Sequence, residues 1–162
     1  MAKALRQKTR GEKPGPDGTV HQPRSKREGD GSKQAFVVRC RPGTFEWRYG
    51  RHDNAQYQAG TKFARLWERA GIASCGGALH EASGGTDWKG LPDGRVVALD
   101  QVRQIGQEIG GPMTRRLVAY LVEGRTPKEI AATYKGQVTD RQVSDTLDLD
   151  LIELARAMGF AA

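Results

Sequence analysis

Apolar and polar positions divide the chain into a patternless N-terminal stretch and a periodic remainder. Over residues 1–33 almost nothing is apolar except Leu5 and Val20, and a series of Gly and Pro residues from Gly11 to Gly31 interrupts any periodicity. Such a segment buries too little surface to offset its ordering entropy, so it reads as a disordered tail. Residues 34–51 read as a β-hairpin extension: Gln34–Cys40 as one strand, Arg41-Pro42-Gly43-Thr44 as the turn, and Phe45–Tyr49, alternating apolar and charged, as the other.

From residue 52 the period becomes helical. Ala55, Ala59, Phe63, Leu66, Trp67 and Ala70 form one stripe, with Asp53 as the expected cap and Gly71 as the stop. Residues 74–95 carry six glycines and read as a loop, pinned by Trp88. Asp100 is expected to cap a helix running to Ile109, ended by Gly110-Gly111-Pro112. A second helix is expected from Thr114 to Glu123. Thr126-Pro127-Lys128-Glu129 is a capping box with Pro at the first helical position, and Thr139-Asp140-Arg141-Gln142 is another. The last helix carries Val143, Leu147, Leu151, Leu154, Ala155 and Met158 on one face and either runs unbroken or bends near Leu149-Asp150.

The fold class read from these patterns is mainly α. It is a helical bundle containing a helix-turn-helix, preceded by a small β-hairpin and a disordered basic N-terminal tail. The organisation is a tail at 1–33, a hairpin at 34–51 and a helical domain at 52–162, with the Gly-rich loop at 74–95.

Charge changes this picture from architecture to partner. The 162 residues carry a net +7, yet residues 1–51 hold 13 Lys+Arg against 5 Asp+Glu, while the rest hold 13 against 14. All excess positive charge is therefore N-terminal, as in basic arms that contact nucleic-acid phosphates. Arg24, Lys26 and Arg27 form the densest cluster. No apolar run approaches the ~18 residues that span a membrane. The basic N-terminus lacks the apolar core of a secretory signal. Two cysteines, Cys40 and Cys75, make no disulfide framework, so a reducing cytoplasm is the expected compartment.

Two short capped helices flanking a Gly-containing turn, with another helix before them, are the pattern of a helix-turn-helix at 126–148. In that arrangement the second helix lies in the major groove and presents its N-terminal side chains to base edges. Thr139 would open it, Arg141, Gln142 and Ser144 would face DNA, and Val143 and Leu147 would pack inward. Arg and Gln suit guanine and adenine. Arg115, Arg116 and Lys128 would hold phosphates. Against this stand Asp140, Asp145, Asp148 and Asp150 on the same helix. With Glu153 they support an alternative, an adaptor that binds RNA polymerase or a host protein through an acidic C-terminal helix.

Other chemistry is thinner. His21, His52, His80, Cys40 and Cys75 include no pair at metal-ligand spacing. No phosphate-binding glycine motif is present, and Asp87, Asp93 and Asp100 form no acid/base dyad. Phe36, Phe45, Trp47 and Tyr49 interleave with Arg39, Arg41, Arg48 and Arg51, which would suit stacking on single strands; a hairpin covering the core with charged outer positions is the favoured reading. No convergent catalytic set is visible, so the chain is not expected to be an enzyme and no cofactor or metal is expected.

Residues Ala59 to Phe160 resemble a domain of unknown function widespread in alphaproteobacteria and their prophage-like elements, whose members include regulators of gene transfer agents. The matching features are Gln56-Tyr57-Gln58-Ala59-Gly60 running to Arg69-Ala70-Gly71, Thr86-Asp87-Trp88, Gly110-Gly111-Pro112, Val122-Glu123-Gly124-Arg125 with Glu129-Ile130-Ala131, Leu154-Ala155-Arg156, and Gly159-Phe160. The stretch from Thr126 to Leu147 is also similar to the C-terminal DNA-binding region of sigma factors. These resemblances imply a helix-turn-helix-like domain, a role in transcription and no catalytic residue. The expectation is a DNA-binding transcriptional regulator, phage or prophage related. Double-stranded DNA is its expected partner, RNA polymerase a further candidate, and a homodimer the arrangement that helix-turn-helix proteins often take.

Overall fold

The computed structural model describes residues 13–27, 33–52, 54–71 and 93–160. The chain divides into two units, residues 1–53 and 54–162.

In the first unit, β1 (Val20–Arg27) pairs antiparallel with β2 (Lys33–Cys40), and α1 (Phe45–Tyr49) follows. This corrects two expectations. Val20–Arg27, within the segment read as tail, is a strand, and Phe45–Tyr49, read as a strand, is a helical turn. Five alternating residues are too few to choose between the two periods. Here Phe45 and Tyr49 stack at i,i+4, their ring centroids 5.5 Å apart. Pro23 is tolerated in β1 because both strands of a two-stranded ribbon are edges. Residues 1–12 lie outside the described residues.

Opposed residues of a ribbon share a face. Val20 lies opposite Cys40, Gln22 opposite Val38 and Arg24 opposite Phe36. Gln22, Arg24 and Cys40 on that face are buried, together with Phe45. The unit thus has a polar core, held by hydrogen bonds instead of by apolar area. The Gln22 amide donates to the Trp47 carbonyl at 2.9 Å, and Arg24 Nε donates to Gln22 Oε1 at 2.9 Å. The Arg24 guanidinium also pairs with the Glu46 carboxylate and donates to the Glu46 carbonyl at 2.7 Å.

The second unit is helical. α2 (Ala55–Arg69) is capped by Asn54, whose side chain accepts from Tyr57 N at 2.9 Å; Asp53, the expected cap, lies outside the described residues. α2 buries Ala59, Phe63 and Trp67. α3 (Asp93–Ile109) starts about two turns before the expected Asp100 and takes the last three residues of the predicted loop into its first turn. Arg95 from that turn donates to the Ala70 carbonyl at 3.0 Å, closing the C-terminus of α2. A cation at those unsatisfied carbonyls is favourable. Residues 72–92, with Cys75, His80, Asp87 and Trp88, lie outside the described residues.

Gly110, at φ 83°, ends α3, but Gly111 and Pro112 open α4 (Gly111–Leu117) where they were expected to lie beyond a helix end. α4 passes directly into a π-helical turn, Val118–Val122. α5 (Pro127–Thr133) and α6 (Asp140–Ala157) complete the unit, and α6 runs unbroken through Leu149-Asp150. α6 packs on α2, α3, α4 and α5. The core is Phe63, Leu117, Tyr120, Leu147, Leu151 and Leu154, each fully buried. Among the described residues no helix is long and apolar enough to cross a membrane.

Candidate nucleic-acid interface

α5 and α6 pack against each other across a six-residue connection, Tyr134 to Thr139. Lys135 (φ 51°) and Gly136 (φ 81°) both take left-handed backbone there; glycine does so without steric cost. Ile130 and Ala131 of α5 and Val143 and Leu147 of α6 are buried.

Both helix starts have the predicted reciprocal geometry. At α5, Thr126 Oγ1 accepts from Glu129 N at 3.3 Å and Glu129 Oε2 accepts from Thr126 N at 2.7 Å. At α6, Thr139 Oγ1 accepts from Gln142 N at 3.2 Å and Gln142 Oε1 accepts from Thr139 N at 2.8 Å. The second box changes what Gln142 offers. Its oxygen is held by the backbone, leaving its NH2 group as a donor. A bidentate contact to adenine requires both ends of the amide, so Gln142 in this state suits an acceptor such as a guanine edge, a thymine oxygen or a phosphate.

The other predicted residues separate into two groups. Arg141, Lys128 and Arg115 are exposed, and none makes an ion pair among the described residues. Ser144 is half-buried. Arg116 is corrected: its Nε and Nη2 donate to the two oxygens of Asp150 at 2.7 and 2.9 Å, with the carboxylate side chain only 3% exposed and the guanidinium 22%. The hydrogen bonds to Asp150 hold that guanidinium above its already high pKa, despite partial burial. Arg24 is corrected likewise. Burial works against its charge, and the Glu46 carboxylate more than offsets this. Neither is available to a phosphate while its pair holds. Lys26 and Arg27 occupy the last two positions of β1, opposite Gln34 and Lys33.

The acids of α6 are also redistributed. Asp150, expected on the outer face, is buried on Arg116. Glu153 pairs with Arg156 at 2.9 Å. Asp145 stays exposed, one turn after Arg141. Sequence reasoning missed that Leu149 (64% exposed) and Ile152 (42%) lie on the outside while Asp150 lies inside. The available signal was position: Asp150 falls at i+7 from Val143 and i+3 from Leu147, on the apolar stripe itself.

The basic-aromatic segment of the first unit is not an open stacking platform. Phe45 is buried, the Arg51 guanidinium lies 5.5 Å from the Trp47 ring centroid, and Arg48 lies 5.5 Å from that of Tyr49. Cys40 sits beneath, 3.8 Å from Arg24 Nη2; burial pushes its thiol pKa up, and the nearby guanidinium opposes this only in part. Phe63 and Trp67 belong to the core of the second unit, 5.8 Å apart. No group of three His, Cys, Asp or Glu side chains arranged to hold a metal occurs among the described residues.

Comparison with protein-family models, with curated proteins and with solved structures finds no match to this chain.

Proposed function

We propose that the chain is a DNA-binding transcriptional regulator that seats the α5–α6 pair on duplex DNA. The observation that carries this is the first turn of α6, where exposed Arg141 and the donor end of Gln142 stand together at the N-terminus of the helix. A helix N-terminus favours an anion, and the major groove admits a helix. Thr139 holds that turn, Lys128 on α5 supplies a phosphate contact, and the basic residues of the first unit add sequence-independent affinity. The resemblance to prophage-linked regulators supports the same role and a phage or prophage setting.

The test is enrichment of fragments from a genomic library on the full chain, then binding of the winning fragment and a random one. Arg141→Ala with Gln142→Ala is expected to weaken the winner by about thirtyfold or more, at ~1–3 kcal/mol for each of two contacts, and to leave random DNA nearly unaffected. Equal loss on both fragments refutes base readout by α6.

A second reading has its own observation. Leu149 and Ile152 form an exposed apolar pair on α6 beside Asp145, which suits a protein surface such as that of RNA polymerase better than a polyanion. Loss of transcriptional effect in Leu149→Ser with Ile152→Ser, with DNA binding intact, favours it.

A further inference from the structure

The π turn, α4 and α5 enclose a groove of about 410 Å³. Three guanidinium groups line it, those of Arg115, Arg116 and Arg125. Each has five N–H donors. Arg116 uses two on Asp150, which leaves three. Arg125 uses Nε on Glu123, at 2.7 Å, and keeps the rest. Arg115 makes no hydrogen bond or ion pair from its side chain among the described residues. Two carboxylates, Asp150 and Glu123, therefore face three cations, and one positive charge is uncompensated.

The remaining wall is of another kind. Ala119, Ile130 and the Tyr134 ring give an apolar side. Tyr134 is 37% exposed although it is a large side chain at the end of a helix. Ala119 belongs to the π turn, and its carbonyl accepts from Arg125 N at 3.0 Å, tying the segment that carries Arg125 to that turn. π-helical turns are uncommon and occur often at functional sites. The volume falls within the roughly 300–1,000 Å³ of small-ligand sites.

We propose that this groove binds a small phosphate monoester carrying an aromatic body. The exposed Arg115 and Arg125 forks, beside one uncompensated positive charge, match a phosphate dianion better than a singly charged carboxylate. The exposed Tyr134 side takes the ring. The proposal stands apart from the DNA-binding reading and moves Arg115 from a DNA-phosphate role to this site. Because α5 forms one wall, a bound ligand would also bear on how α5 and α6 are set.

The test titrates the full chain with adenosine 5′-monophosphate and with phenyl phosphate, using adenosine and inorganic phosphate as the separate halves, by calorimetry. Both monoesters are expected to bind one per chain, and the adenylate at least about tenfold tighter than either half. Arg115→Ala and Arg125→Ala are each expected to weaken binding about tenfold or more, the size of a lost charge-assisted hydrogen bond. Both residues are exposed, so unchanged circular dichroism serves as the folding control. Arg141→Ala, outside the groove, is expected to stay within about twofold of the parent. The proposal is overturned if neither monoester binds at about 10 mM, or if both arginine variants bind as the parent does. It is overturned equally if Arg115→Ala weakens only the binding of duplex DNA.

Discussion

Asp150→Leu is the perturbation most directly readable from the structure. The carboxylate is 3% exposed and takes two charge-assisted hydrogen bonds from Arg116, at 2.7 and 2.9 Å. Breaking one side of a fully buried pair costs roughly 3–5 kcal/mol, because the surviving charge is left without a partner. Arg116 keeps 22% of its side-chain surface exposed, so it regains part of its hydration. The expected loss is therefore about 2–3 kcal/mol, below the fully buried limit. For a domain of this size that is a midpoint shift of about 1–2 M in urea, followed by the helical circular dichroism. Arg116→Met is expected to cost more near neutral pH, since it strands the more deeply buried partner. The double variant Asp150→Leu with Arg116→Met is expected to recover most of the loss, because an apolar pair of similar volume is close to neutral. A single-variant loss under about 0.5 kcal/mol, or a double-mutant cycle with no coupling, would refute the claim that this pair joins α4 to α6.

Three further outcomes follow from the same geometry. Leu147→Ala, at a fully buried position on α6, is expected to cost about 3–5 kcal/mol in denaturant; a loss under about 1 kcal/mol would mean that α6 is not packed as described. Thr139→Ala removes the acceptor for Gln142 N and is expected to cost about 1 kcal/mol, with Thr139→Ser nearly neutral, as read from thermal melts. In a Cys75→Ser background, Cys40 is expected to react with a disulfide reagent far more slowly in the native protein than in the unfolded chain. Its folded pKa is raised by burial, so its contribution to stability is complete below the ordinary 9.0 and lost as pH rises through the folded value; equal labelling rates in the two states would overturn this.

What the sequence determined by itself was the set of features decided within one helical turn. The Thr126/Glu129 and Thr139/Gln142 boxes are i,i+3 contacts, and both helix starts form where the residues place them. The α2 stripe, the inward Val143–Leu147–Leu151–Leu154 series and the stops at Gly110, Gly124 and Gly159 are equally local. Tertiary structure decided what depends on distant partners. β1 exists because β2 supplies its hydrogen bonds; on its own, Val20–Arg27 has one strong strand former and a proline. Arg24 and Arg116 had the composition of phosphate ligands, but Glu46, 22 residues away, and Asp150, 34 residues away, hold them in internal pairs. The groove of Arg115 and Arg125 forms only where the π turn and α5 meet. A charge read along the chain records the type of group present; its available partner is set by the packing that excludes water from one side of it, and that packing is non-local.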